Sequence, residues 1–223
     1  FIIRELLMMG VASIHSISIP EGKAGQQVVE SLCKQIEALG AEKSGQFSVE
    51  CETYYSSFPN VSKFINLFHN SEYPATCFAL QDNGTSLVAD SSFDIIMGNL
   101  ASVYASKKAN KYIMTILQLI NLKFLNRIEC RGPRYTLSDF IIKVGSCSFG
   151  PSFKGILVEI EYGPCLVPNN CWDLIKEFGQ GFLGNQITQP PQYLQGKMNE
   201  TYSPIDTIHQ YNEHFNNLRK ITA

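Results

Sequence analysis

The stretch from Gly155 to Trp172 reads GILVEIEYGPCLVPNNCW. From Ile156 it alternates, with Ile156, Val158, Ile160 and Tyr162 on one face of a strand and Leu157, Glu159 and Glu161 on the other. Successive side chains of an extended chain point to opposite sides, so this pattern predicts a strand with one buried face and a polar face turned to solvent. Gly163-Pro164 ends it. Asn170 is placed to cap a helix carrying Trp172, Leu174, Ile175, Phe178 and Phe182, with Gly184 at its end.

The same two periods organise the rest of the chain. Gly10 to Ile19 reads as a first strand and Pro20 to Leu39 as a helix. Val28, Val29, Leu32, Ile36 and Leu39 recur there at helical spacing, and Gly40 suits the position after the helix end. Gln46 to Tyr54 and Lys63 to His69 read as strands. Ala75 to Ala89 reads as a hairpin about Asn83-Gly84, two residues suited to the positive φ of a tight turn. Ser91 opens a helix with Phe93, Ile96, Met97, Leu100, Val103 and Tyr104 on one face. Arg127 to Arg131, Tyr135 to Val144 and Ser146 to Phe149 read as strands bounded by glycines. Residues 185–202 read as a loop, and Ser203-Pro204 starts a terminal helix with Asp206 at its third position and Ile205, Ile208, Phe215 and Leu218 as its stripe. Runs of strands between a few helices predict an α+β fold with an antiparallel sheet.

Composition bounds the function. The chain has 223 residues, 44% of them hydrophobic and 17% charged, which suits a folded domain and not a disordered one. A net charge of −2 and the lack of any basic run argue against a main role in gripping a phosphate backbone, so no strong direct nucleic-acid binding is expected. Seven cysteines, without a C-x-x-C pair, argue against a zinc framework or a disulfide scaffold and for reducing surroundings.

Four blocks, in this order and spacing, resemble one known family. They are Gly40-Ala41-Glu42-Lys43 with the strand through Cys51-Glu52-Thr53-Tyr54, and His69-Asn70-Ser71-Glu72-Tyr73-Pro74 running into Cys77-Phe78-Ala79-Leu80. The third is Arg131-Gly132-Pro133-Arg134-Tyr135 running through Asp139-Phe140 to Lys143-Val144-Gly145, and the fourth is the opening stretch. With Met9-Gly10-Val11 in front and Tyr202 to Arg219 behind, nearly the whole chain resembles the Mediator complex subunit 20 family. The resemblance implies an antiparallel β-barrel flanked by a few α-helices, with residues 9–223 as a single domain and 1–8 as a non-native or upstream leader. It implies a non-enzymatic, nuclear head-module protein without a cofactor, working in transcription by RNA polymerase II. The implied partners are Mediator subunit 18, a helix of subunit 8 and the RNA polymerase II machinery, with the TATA-binding protein among them. Lys111 to Asn126 has no counterpart in the family and reads as an insertion. It is shorter than the roughly 20 apolar residues of a membrane span, and no membrane role is expected.

Four constellations could carry chemistry. Glu50 with Glu52 and Glu159 with Glu161 are Glu-x-Glu pairs on strands. Converging inside a barrel, they could bind Mg²⁺ or Mn²⁺ as in the triphosphate-tunnel metalloenzymes, which makes a metal-dependent phosphohydrolase the alternative function. Against it, alternation alone accounts for polar strand faces, and the inward Lys and Arg set of such a tunnel is too sparse. His15, His69, His209 and His214 could activate a cysteine, but no cysteine carries a nucleophile signature, and surface or capping roles are expected. Arg131, Arg134 and Tyr135 could grip a phosphate or a base, form a salt-bridged turn, or contact a partner protein. Tyr211 and Phe215 on the terminal helix, and Tyr162 on the strand, are further partner-contact candidates. No catalytic, cofactor-binding or metal-binding residue is expected.

Overall fold

A computed structural model describes residues 10–56, 64–74, 76–81, 86–90 and 122–220. The elements are β1 (Val11–Ile17), α1 (Gly25–Ala38), β2 (Glu42–Ser56), β3 (Phe64–Asn70), β4 (Thr76–Gln81), β5 (Ser86–Asp90), β6 (Leu122–Leu137), β7 (Phe140–Phe149), β8 (Ser152–Tyr162), α2 (Pro168–Leu183), the four-residue α3 (Gln192–Gln195) and α4 (Pro204–Lys220). The class is α+β with an antiparallel sheet and a few helices, as the resemblance implies.

The described chain forms two compact units, one holding residues up to Phe47 and from Cys130 onward, the other those from Ser48 to Glu129. In the first unit the strand order is β1-β8-β7-β6, followed by the start of β2. Strand β8 lies antiparallel to both neighbours, from Val11↔Tyr162 to Ile17↔Ile156 on one side and from Phe140↔Tyr162 to Phe149↔Ser152 on the other. Directly opposed residues share a face, so the alternation of β8 propagates across the sheet. Ile156, Val158 and Ile160 line up with Ile142 and Val144 of β7. They pack against Val28, Leu32 and Ile36 of α1 and Cys171, Ile175 and Phe182 of α2. Gly179 lets α2 sit down on this face, because a Cβ there would strike Ile160 and Ile187. The opposite face carries Ala12, Ile14, Lys143, Leu157, Glu159 and Glu161, and it is the face α4 covers.

The second unit orders its strands β6-β2-β3-β4-β5. Strands β2 to β5 pair antiparallel in turn, from Val49↔Asn70 to Tyr55↔Phe64, from Ile65↔Gln81 to His69↔Cys77, and from Thr76↔Asp90 to Leu80↔Ser86. Val49, Cys51, Ile65, Leu67, Phe68, Phe78 and Leu80 are buried there.

Strand boundaries differ from the sequence reading where glycine invites two interpretations. Gly132-Pro133 and Gly145 look like turns, yet β6 and β7 run straight through them. A Cβ at Gly132 would collide with the backbone of Val144, and one at Gly145 with Cys130 and Phe47, so these glycines serve close approach. The turn between β6 and β7 is instead Ser138-Asp139, with Ser138 at φ +53°. Strand β6 also starts at Leu122, not at Arg127. Leu122 to Asn126, read as part of an insertion, are therefore its first residues, and Phe124 stands edge-on to Tyr54 at 5.8 Å.

The helix boundaries follow the same logic. Helix α2 begins at Pro168 after Val167, and Asn170 lies inside its first turn. Proline at the first helical position needs no amide hydrogen and overrides the expected asparagine cap. Helix α1 starts at Gly25, and Gly40 follows its end with φ +94°, as expected. At α4, Pro204 opens the helix, and the Asp206 carboxylate accepts the Ser203 N–H and hydroxyl, both at 2.8 Å. The hairpin tip at Asn83-Gly84, the helix read from Ser91, and residues 1–8 and 111–121 lie outside the described residues.

Candidate functional site

The polar face of β8 does not meet water. Glu159 is only 2% exposed and Glu161 is 9% exposed, because α4 closes over them. This corrects the solvent-facing role read from the alternation: one strand's pattern cannot reveal that a helix distant in sequence covers its polar side. Register sets Lys143 of β7 directly opposite Glu159, and its ammonium donates to Glu159 Oε1 at 2.8 Å. The same ammonium lies 3.7 Å from Glu161 Oε2. Tyr211 of α4 donates its hydroxyl to the other Glu159 oxygen at 2.6 Å. Burial, and then the neighbouring Glu159 charge, push the Tyr211 phenol well above its ordinary pKa, so it stays a neutral donor. Glu161 accepts the Gly10 N–H at 3.3 Å.

A second set of bonds joins α4 to β1. Gln210 accepts the Ile14 N–H at 3.1 Å and donates to the Ala12 carbonyl at 3.0 Å and to the Tyr202 hydroxyl at 3.0 Å. Tyr202 and the Thr207 hydroxyl are 2.8 Å apart. His214 Nε2 lies 3.0 Å from the Ile14 carbonyl, which can only accept, so that nitrogen carries the proton. Among the described residues, strand β1 is the edge of its sheet. One carboxamide bonding the Ala12 carbonyl and the Ile14 amide makes the pair of bonds that a residue in a parallel neighbouring strand would make.

Beneath β1, Ser13 Oγ and His15 Nε2 are 2.6 Å apart, and His15 packs beside Trp172. Burial, and then His214, lower the His15 pKa to about 4, so the ring is neutral. This buried place corrects the surface role read for His15. Outside the seam, His209 stacks on Tyr193 at 4.7 Å, and Lys197 bridges to Asp206 at 3.1 Å.

The arrangement is saturated. Glu159 could bind a metal only by giving up Lys143 and Tyr211, and among the described residues no group of three His, Cys, Asp or Glu side chains could hold a metal ion. In the second unit, Glu50 bonds Arg127 at 2.8 Å and Glu52 accepts from Tyr54 at 2.9 Å. Tyr135 is buried and donates to Glu37 of α1 at 3.0 Å, while Arg134 donates to Ser44 at 2.7 Å. The Arg131–Tyr135 stretch lies within β6, so its reading as a turn does not hold. Tyr135, Tyr211 and Phe215 are at most 2% exposed, which leaves them no surface to offer a partner in this conformation. Arg131 is exposed, Arg134 half-buried, and Tyr162 half-buried against Phe140. The residue the sequence reading missed is Gln210. Its signal was the spacing of Gln210 and His214, one turn apart on a helix face that the apolar stripe does not explain. No helix among the described residues is long and apolar enough to cross a membrane.

Residues 9–216 match the family model described as TATA-binding related factor of subunit 20 of the Mediator complex. The chain is 44% identical over 217 residues to the Gallus gallus protein named Mediator of RNA polymerase II transcription subunit 20, covering 95% of each chain. It is 43% identical over 218 residues to the Homo sapiens protein of the same name, again covering 95% of each. A solved structure of the Schizosaccharomyces pombe Mediator head module aligns with a TM-score of 0.34 at 9% identity, covering 67% of this chain and 79% of that one, too distant to argue from. Matched along nearly its whole length by this family model and by these relatives, the chain belongs to the Mediator subunit 20 family.

Proposed function

We propose that this chain is a non-enzymatic subunit of the Mediator head module. In this reading it acts in the nucleus, pairs with Mediator subunit 18, is tethered through a helix of subunit 8, and helps relay regulatory signals to RNA polymerase II and its TATA-binding protein. The observation that carries the reading is the end-to-end likeness to proteins named for that complex, with equal coverage of both chains. The buried seam supports it: its charges and hydroxyls are spent on one another and on fixing α4. Partner contact falls to side chains that keep surface, among which are Arg131, Arg134 and Tyr162.

Mixing the chain with a subunit 18 barrel at low micromolar concentration on a sizing column tests the assembly. Co-elution is expected, through an interface of at least about 1,200 Å². Separate elution of two folded proteins at every ratio would sink the pairing. The phosphohydrolase alternative has its own assay. No phosphate should be released from nucleoside triphosphates or triphosphate-ended RNA with Mg²⁺ or Mn²⁺, and metal-dependent turnover abolished by Glu159→Ala would overturn the non-enzymatic reading.

A further inference from the structure

The turn after β8 and the start of α2 hold two thiols that the proposed function does not use. Cys165 lies in the turn and Cys171 in the first turns of α2. Both reach one acceptor: Cys165 Sγ donates to the Val167 carbonyl at 3.2 Å, and Cys171 Sγ lies 3.7 Å from that oxygen and 3.7 Å from the Pro168 carbonyl. Two sulfurs gathered on one carbonyl cannot be farther apart than those two distances combined, and Cys165 is itself a hydrogen-bonding neighbour of the Cys171 thiol. Cys165 is half-buried and reachable from solvent, while Cys171 is buried behind it. The remaining cysteines differ in setting: Cys51, Cys77, Cys130 and Cys147 are buried, and Cys33 lies on α1.

The turn is also a crossing point of the unit. The Cys165 carbonyl accepts the Val11 N–H of β1 at 3.1 Å, the neighbouring Leu166 carbonyl accepts the Tyr202 N–H at 2.7 Å, and Asn169 donates to the Met198 carbonyl at 2.8 Å. A covalent link here would join the turn to the start of α2 at the point where the entry to β1 and the segment leading into α4 are hydrogen-bonded to it.

We propose that Cys165 and Cys171 are a peroxide-responsive dithiol that closes to an intramolecular disulfide across the start of α2. In the first step the half-buried Cys165 sulfur attacks one oxygen of hydrogen peroxide. The O–O bond breaks, a sulfenic acid forms and one water leaves. The Cys171 sulfur then attacks the Cys165 sulfur. The S–S bond forms, the S–O bond breaks, and the hydroxyl leaves as a second water with the Cys171 proton. Two thiols are oxidised and one peroxide is reduced to two waters. The roles follow from access: Cys165 meets the oxidant, and Cys171 resolves it. Burial, and then the hydrogen bond with Cys165, raise the Cys171 pKa to about 12, so in the reduced pair it is held as a protonated thiol.

The full chain offers a direct test, because cleavage after Lys154 and Lys176 isolates Cys165 and Cys171 as the only cysteines of one peptide. Reduced protein, alkylated and digested, should show that peptide doubly alkylated. After peroxide it should be unalkylated and lighter by two hydrogens, and a reductant should restore both thiols. In Cys171→Ser, peroxide should leave Cys165 as a sulfenic acid that a dimedone probe captures. The proposal is overturned if both thiols stay alkylatable at peroxide doses that oxidise Cys33. It is equally overturned if Cys165 is over-oxidised while Cys171 stays free, or if the only disulfides formed join two chains. The readout on unmutated protein stands alone should a variant fail to fold, and it does not depend on which complex the chain joins.

Discussion

At the scale of residues, the buried Lys143–Glu159 pair has the sharpest energetic consequence. Both side chains are at most 3% exposed, so removing one partner strands a charge away from water. Lys143→Met or Glu159→Met alone should each cost about 3–5 kcal/mol in chemical denaturation, whereas the double change should recover most of that. Additive losses in the double variant would show that the pair does not act as a unit. His15 sets a pH dependence. Its pKa is near 4 in the fold and about 6.5 when unfolded, so between those values the unfolded chain binds the proton and the native chain does not. This contribution is intact above about pH 6.5 and is lost progressively down to about pH 4, on the order of 3 kcal/mol in all. His214 is lowered by burial too and acts in the same direction. Melting temperatures from pH 7 to 4 should fall less steeply in His15→Gln than in the unmutated protein, and equal slopes would remove His15 from the account.

At the scale of elements, α4 guards the edge of a sheet. Exposed edges invite pairing with other chains, and here a carboxamide and an imidazole occupy the edge positions of Ala12 and Ile14. Gln210→Leu should cost about 1–3 kcal/mol, the penalty for a buried amide and carbonyl left without partners, and should promote concentration-dependent self-association in light scattering. A variant that is destabilised but monomeric at all concentrations would separate the packing role from the guarding role. Strand β6 supports a second prediction. Deleting 111–126 removes Leu122 to Asn126 from β6 and with them the contact between Phe124 and Tyr54. It should therefore lower the melting temperature by several degrees, while deleting only 111–121 leaves β6 whole and should be far milder. These elements also show what a sequence exposes. The alternation in β8 and the stripe in α1 were legible because each encodes its own period. The glycines of β6 and β7 were not, because a glycine needed for close approach looks the same as one needed for a turn until the neighbouring strand is known. The seam was illegible for a related reason: Glu159 looks solvated until Tyr211, 52 positions away, is placed on it.

At the scale of the whole molecule, the family match runs across both compact units, so the chain's two parts share one evolutionary description. A net charge of −2 leads to one more expectation: the isolated chain should show no tight, steeply salt-dependent binding to duplex DNA in fluorescence anisotropy. The bond between Gln210 and Ile14 spans 196 positions of chain, and this has a consequence in time. At the usual pace of synthesis, ~5–20 residues per second, β1 is made roughly 10–40 s before the carboxamide that covers its edge. Throughout that interval the edge of β1 turned away from β8, the one that Gln210 and His214 cover, lies open on the growing polypeptide. An edge of this kind invites pairing with other chains until α4 arrives. A nascent chain stalled before Ser203 should accordingly crosslink to other proteins through β1, and the crosslinks should vanish once translation runs on past α4.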